Sequence, residues 1–414
     1  MKTRLTLVSC LIAVSCRAQS SGTFTATGSM TTARLFHTAA LLADGRVLIA
    51  GGSRLAGSPP EYEPLASAEL YGPSTGVFTP TGDMFTAHSS HSAALLPDGR
   101  VLITGGGDTA ELYDPSTGTF TNTIGVPTAE RGIAAVLKNG NVLIAGITAQ
   151  LYDPVTNSLA FTGSYIGPFY DGPYFYTDSA PLLPDGRVLV VGNASDSDGW
   201  NEHEEVYDPV TGTFKVASQP LTTALGSYIW GGHSTTLLPN GKVLLAGGDN
   251  ADFGYFSKAE LYDPATDTIT ATANMTLARA SHTATLLPDG TVLIAGGGND
   301  AMGSAASAES YNSSTAQFAA AGSMTIARAA HTATLLPDGR VLIAGGGVPY
   351  STVITTTAEL YTPASLKPSP GLFSLSGNGT GQGAIWHADT GKIASSANPA
   401  TAEDVAVDVH HQPV

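Results

Sequence analysis

Three observations predict an all-β chain, folded as a seven-bladed β-propeller closed by an N-terminal outer strand and followed by a short C-terminal β tail. One residue pattern recurs seven times. Every copy contains an Asp-Gly or Asn-Gly turn. A spare strand at the N-terminal end supplies what the last copy lacks.

The recurrence is clearest where His282-Thr-Ala-Thr-Leu-Leu-Pro-Asp-Gly-Thr-Val-Leu-Ile-Ala-Gly-Gly297 returns almost unchanged at His331 to Gly346. The copies begin at His37, His91, Gly132, Asp178, His233, His282 and His331, 41 to 55 residues apart. That length holds four short strands and their turns, which is one propeller blade.

The elements follow in order within each copy. A first strand such as His331 to Leu336 alternates small and apolar residues, as crowding near an axis requires. A two-residue turn follows at Asp44-Gly45, Asp98-Gly99, Asn139-Gly140, Asp185-Gly186, Asn240-Gly241, Asp289-Gly290 and Asp338-Gly339; such pairs tolerate the positive φ of tight hairpins. The second strand reads Val-Leu-Ile-Ala or close to it and ends in glycine. The third carries a tyrosine in every copy: Tyr71, Tyr113, Tyr152, Tyr207, Tyr262, Tyr311 and Tyr361. The fourth is marked by Phe78, Phe120, Leu159, Phe214, Ile269 and Phe318. The seventh copy has no fourth strand after Pro363, whereas Thr23-Phe24-Thr25-Ala26 matches Val77-Phe78-Thr79-Pro80. The N-terminal segment therefore completes the last blade and removes an exposed edge.

Composition agrees. Of 414 residues 48 are glycine, against ~7% in ordinary chains, and many tight turns suit an all-β fold. Lys2 and Arg4 precede the apolar run Leu5 to Cys16, and Ala18 ends a small-residue cleavage pattern, so residues 1–18 read as a secretory signal peptide. A second reading takes Ala13-Val14-Ser15-Cys16 as a lipobox with Cys16 lipidated. Either way the chain is expected outside the cytoplasm, in the periplasm or beyond. Both cysteines, Cys10 and Cys16, lie in this leader. Cleavage after Ala18 leaves no disulfide, thiolate metal site or cysteine nucleophile. The formal net charge of −16 argues against nucleic acid and anionic lipid as partners, and no segment is long and apolar enough to be a membrane helix. The chain is expected to be a monomer.

The glycine pairs Gly51-Gly52, Gly105-Gly106, Gly247-Gly248, Gly296-Gly297 and Gly345-Gly346, with the later tyrosine, resemble the kelch repeat. The subtype His-x-Ala-x-Leu-Leu-Pro-Asp-Gly-Arg-Val-Leu resembles the propeller of galactose oxidase and its bacterial relatives, over residues 21 to 363. That family holds one copper with two tyrosines and two histidines, one tyrosine being crosslinked to a cysteine, and a Tyr-His pair at an inner strand supplies two ligands. Here Phe36, Ser90, Gly232, Ser281 and Ala330 precede the matching histidines, and the mature chain lacks the cysteine. The resemblance therefore implies the fold without a copper-radical site, and no cofactor is assigned. Residues 364–414 leave the repeat. Pro368 to Phe373, Gly381 to Ile385 and Asn398 to Ala400 resemble part of a C-terminal β module, expected as short hairpins or a loosely ordered tail. His387, His410 and His411 there are read as solvated rather than as ligands.

Two turns of each blade are short and regular and define a structural face. The second-to-third-strand loops and the blade-to-blade loops vary, and they define the face where ligand should bind. The histidine that recurs there in five copies is read as structural, satisfying a backbone group at the strand start. Arg34, Arg279 and Arg328, three residues earlier, are expected to pair with Glu69, Glu309 and Glu359 between blades. Repeats three to five break the pattern. Gly132 and Asp178 replace histidine, Phe175 and Trp230 stand at the arginine position, and Ile147 and Asn193 replace the second glycine.

Aromatic residues beside carboxylates and amides cluster in the loops of these repeats. Rings stack on the C–H faces of sugars while polar groups take the hydroxyls; the competing reading is that the rings pack on one another. The first functional reading is a non-catalytic module binding a glycan or a protein through Tyr170, Asp171, Tyr174, Trp200, Tyr228 and Trp230. The second is a carbohydrate-active enzyme using Asp178, Asp198, His203 and His233, with a metal as an option. The third is a structural or adhesive surface protein. Asp196-x-Asp198-Gly199 resembles part of a calcium loop, but Ala194 stands where that pattern needs an acid. No Ser-His-Asp signature, phosphate loop or His-Glu-x-x-His motif occurs.

Overall fold

The computed structural model describes residues 22–58, 61–106, 109–123, 132–146, 148–166, 175–196, 199–218, 232–250, 254–298, 305–348, 353–364, 375–377, 385–387 and 392–394. Among them there is no helix, and hence none able to cross a membrane. The strands form seven four-stranded antiparallel blades around one axis. Their inner strands are Thr38–Leu41, Ser92–Leu95, Ile133–Val136, Phe175–Ser179, Ser234–Leu237, Thr283–Leu286 and Thr332–Leu335, here numbered as blades 1 to 7. The outer strand of blade 7 is Thr23–Ala26, paired with Ala358–Thr362 so that Phe24 stands opposite Tyr361. The ring is thus closed by the N-terminal segment.

The inner hairpin turn differs from expectation. Only the glycine takes a positive φ, from 82° at Gly241 to 95° at Gly186, while the Asp or Asn before it does not. In blade 1, Gly45 N–H donates to Leu42 O at 2.9 Å and Leu42 N–H donates to Arg46 O at 2.8 Å. The connection is a three-residue loop with a glycine bulge, which suits the twist of the flanking strands. The acid acts through its side chain instead, since Asp44 Oδ1 accepts the Arg46 N–H at 2.9 Å. Arg46 then reaches the turn of blade 2 at Pro115 O, as Arg100 reaches Pro154 in blade 3 and Arg187 reaches Pro264 in blade 5.

There is no single core. Apolar clusters lie between facing sheets of neighbouring blades. The seven repeat tyrosines are all buried, which explains their recurrence. In blade 1 the Tyr71 ring packs on Phe78 with centroids 4.7 Å apart, and its hydroxyl meets Thr27 Oγ1 of blade 7 at 2.8 Å. The same hydroxyl link joins blade 1 to 2, 3 to 4 and 5 to 6. Beyond the propeller, Leu375–Gly377 pairs with the inner strand of blade 7, and Ile385–His387 pairs with Lys392–Ala394.

Candidate functional site on the variable face

The face that carries the strand-one starts is built on a buried belt. Nε2 of His37 lies 3.0 Å from Thr332 Oγ1, that of His91 2.8 Å from Thr38 Oγ1, that of His282 2.9 Å from Ser234 Oγ and that of His331 3.0 Å from Thr283 Oγ1. Each ring therefore reaches the first inner-strand residue of the preceding blade. A backbone group also interacts with each ring, that of Ala344 with His37 and that of Ala50 with His91, so the hydroxyl across the blade interface adds to the expected backbone partner. Each ring edge and a methionine methyl fill the space beside the first glycine of the preceding blade. A Cβ on Gly345 would lie 2.8 Å from His37 Cε1 and 2.9 Å from Met30 Cε. Burial pushes the His91 and His331 imidazoles down to about 3 and holds His37 and His282 well below the ordinary range. These rings are neutral joints.

The arginine–glutamate pairs exist as expected from the sequence, at 3.0 Å for Arg34–Glu69 and 2.8 Å for Arg279–Glu309 and Arg328–Glu359. They lie within a blade and not between blades, because each arginine precedes the inner strand of the blade whose third strand carries its glutamate. Each arginine also ties two strands of that blade: Arg34 Nη1 donates to Gly51 O at 2.7 Å and to Ser67 O at 2.9 Å. Burial lowers the affinity of these guanidinium groups for their protons, and the facing carboxylate opposes it. Blade 2 substitutes His88, 3.4 Å from Glu111. Burial pushes the Glu111 carboxyl up, but hydrogen bonds from His88 and from the Phe85 and Thr86 N–H groups outweigh it.

The belt is interrupted at blades 3 and 4. Gly132 carries no ring, and the hydroxyl of Ser92 in blade 2 instead accepts the Ala134 N–H at 3.0 Å. Asp178 falls at a register shift in the inner strand of blade 4. The second-to-third-strand hairpin of that blade is also one continuous ladder. Its second and third strands are Val188–Asp196 and Gly199–Asp208, paired through Gly192↔His203, Asn193↔Glu202, Ser195↔Trp200 and Asp196↔Gly199. The equivalent second strands in blades 1, 2, 3, 5 and 7 have four residues.

Around the axis, the residue before four of the five belt histidines is left-handed without being glycine: Phe36 (φ 55°), Ser90 (53°), Ser281 (54°) and Ala330 (53°). Their backbones form an arc. Ser90 N–H donates to Phe36 O at 3.0 Å, Phe36 N–H to Ala330 O at 3.2 Å, Ala330 N–H to Ser281 O at 3.0 Å and Ser281 N–H to Gly232 O at 3.4 Å. Above blade 1 stands a hairpin, Ser53–Ala56 with Glu61–Pro64. It is held by an exposed Arg54–Glu63 pair at 2.9 Å and brings Tyr62 edge-on to Phe36, centroids 6.4 Å apart.

The structure redistributes the candidate residues. Trp200 and His203, expected in a loop, stand in the hairpin of blade 4 because that segment continues the strand pairing. Tyr170, Asp171, Tyr174, Asp198, Tyr228 and Trp230 lie outside the described residues. His233 is fully buried, as the belt requires, and is closed to substrate. The Phe36–Tyr62 pair was missed; the residue before histidine was read only for what it was not. Among the described residues no three His, Cys, Asp or Glu side chains gather as a metal would need.

No protein-family model matches the chain, and no curated protein does. Among solved structures the chain is similar to one described as a novel fungal alcohol oxidase with catalytic diversity among the AA5 family, in complex with copper. The TM-score is 0.64 at 16% identity, over 83% of this chain and 76% of that one. Likeness at that identity concerns the fold alone, and this chain is a seven-bladed β-propeller. The described residues do not fit copper of the radical kind: no tyrosine precedes a belt histidine, and four of those rings are buried against blade-interface hydroxyls.

Proposed function

We propose that this chain is an exported kelch-type propeller that binds a glycan, without catalysis, on its variable-loop face. The observation that carries the reading is the continuous hairpin of blade 4. Its second and third strands run on as one unbroken ladder up to Asp196↔Gly199, in the blade where the structural belt is interrupted at Asp178, next to Gly132. Trp200 on this hairpin, with Tyr170, Asp171, Tyr174, Tyr228 and Trp230 from the adjoining loops, forms the contact surface. Aromatic rings interspersed with carboxylates suit carbohydrate.

The test is a glycan-array screen of residues 19–414, followed by quenching of Trp200 and Trp230 fluorescence in solution. Binding that is lost in Trp200→Ala, with the far-UV spectrum unchanged, is the expected result. A folded protein that binds no glycan refutes the carbohydrate reading and leaves a protein ligand.

A further inference from the structure

We propose that the central channel holds a docking site for one extended peptide strand, on the inner edge of blade 7, and that the chain fills this site with its own tail segment, Leu375–Gly377, as a displaceable occupant. This holds whether or not the variable face binds a glycan.

The inner strand of each blade turns one row of backbone N–H and C=O groups toward the axis, and such an edge is a template for a further strand. Among the described residues only blade 7 carries one: its sheet has five strands, with Leu375–Gly377 beyond Thr332–Leu335. The pairing is antiparallel, with Leu375 opposite Thr334, Ser376 opposite Ala333 and Gly377 opposite Thr332. The segment also lies beside the inner strands of blades 6 and 1, Thr283–Leu286 and Thr38–Leu41. These three inner strands are buried along their whole length, whereas those of blades 2, 3 and 5 each keep one half-buried residue, Ala93, Val136 and Leu237. The tail segment therefore covers one wall of the channel.

The register gives the direction. Thr332–Leu335 descends from the belt to the Asp338-Gly339 turn on the structural face, so Leu375 to Gly377 climbs toward the variable face. The third strand of blade 7, Ala358–Thr362, also ends on the structural face, three strands out in the same sheet. That separation is about 14 Å at the usual strand spacing, and the ten residues between Ala364 and Leu375 reach up to about 33 Å. The chain's own tail can therefore occupy the site without a second copy. Its composition suits the place. Residues 368–386 contain no Asp, Glu, Lys, Arg or His, and burying a charge in a channel wall is costly. From Gly377 a glycine recurs at every second position to Gly383, which leaves one face of an extended chain without side chains for close approach. Three residue pairs make a short ladder, so the tether matters: it holds the tail at an effective concentration of about 1 mM, against which a dilute free strand loses.

The experiment titrates a fluorescein-labelled synthetic peptide, with the sequence of residues 371–383, against the full chain and against Ser376→Pro, and reads anisotropy. Proline cannot donate to a ladder, and the substitution lies outside the four strands that build each blade, so an unchanged far-UV spectrum is expected. Gly377→Pro is the second variant and is read in the same way. Each variant is expected to bind the peptide at least about tenfold more tightly than the unsubstituted chain does. Amide exchange over residues 331–336 is expected to be faster in the variants and to slow again when the peptide is added. Equal affinity for variant and unsubstituted chain overturns the proposal, because the tail then does not compete for the site. Failure of both variants to bind the peptide overturns it by removing the site. Binding that leaves exchange over 331–336 unchanged overturns it by placing the peptide elsewhere.

Discussion

Replacing Glu309 by glutamine keeps the side chain's shape and removes its charge, and this isolates what the carboxylate does inside blade 6. Glu309 is 2% exposed and Arg279 is fully buried. The carboxylate accepts Arg279 Nη2 at 2.8 Å and the Thr276 N–H at 2.7 Å. In Glu309→Gln an amide N–H₂ must face either a guanidinium or a backbone N–H, and a buried cation loses its counter-charge. Breaking a buried pair in this way costs about 3–5 kcal/mol. Arg279 keeps its carbonyl acceptors at Gly296 and Ser307, so the lower end, about 3 kcal/mol, is expected. The assay is urea unfolding followed by far-UV circular dichroism. Tryptophan emission is unsuitable because Trp200, Trp230 and Trp386 all lie outside blade 6. Adding Arg279→Met to Glu309→Gln should recover more than about 1 kcal/mol, since the unpaired charge is then gone. A single-variant loss below about 1 kcal/mol would show that the pair is screened as a surface bridge is, and would refute the reasoning from burial.

Acid should loosen the belt. The histidines are held neutral in the fold, so below the ordinary value of about 6.5 the unfolded chain binds more protons than the folded one. Their contribution is complete above that pH and is lost progressively as pH falls toward about 3, where His91 and His331 titrate. The slope approaches ~1.4 kcal/mol per pH unit for each ring. The urea midpoint measured across this range should show it, and His331→Gln should reduce the slope. Ala316 adopts φ 53° where Gly76, Gly118 and Gly212 stand in other blades. Ala316→Gly is therefore expected to raise stability by up to about 1 kcal/mol after the entropy cost of glycine, read from the same midpoint. Gly345→Ala should cost more than about 2 kcal/mol. Its Cβ would lie 2.6 Å from Arg34 O and 2.8 Å from His37 Cε1, at φ 65°. Hydrogen exchange should place that loss at the interface of blades 7 and 1.

The sequence by itself determined the number of blades, the place of each turn and the closing strand. These depend on local chemistry that recurs: a glycine that accepts a left-handed turn, a tyrosine in the third strand of every copy, an unpaired strand matching its counterparts. It also named the partners of Arg34, Arg279 and Arg328 correctly, because in three copies an arginine three residues before the histidine goes with a glutamate two residues before the third-strand tyrosine. Only the tertiary structure decided that those pairs lie within blades and the histidine contacts between them. Sequence distance does not tell which side of a sheet faces the neighbouring blade. The same limit applies to the site. Trp200 was legible as a departure from the pattern, yet its place on a lengthened hairpin depends on pairing between residues on both sides of a turn. Phe36 and Tyr62 are 26 residues apart and share no motif. They meet because the hairpin of blade 1 folds back over the strand start of the same blade, where Leu35 pairs with Ser53.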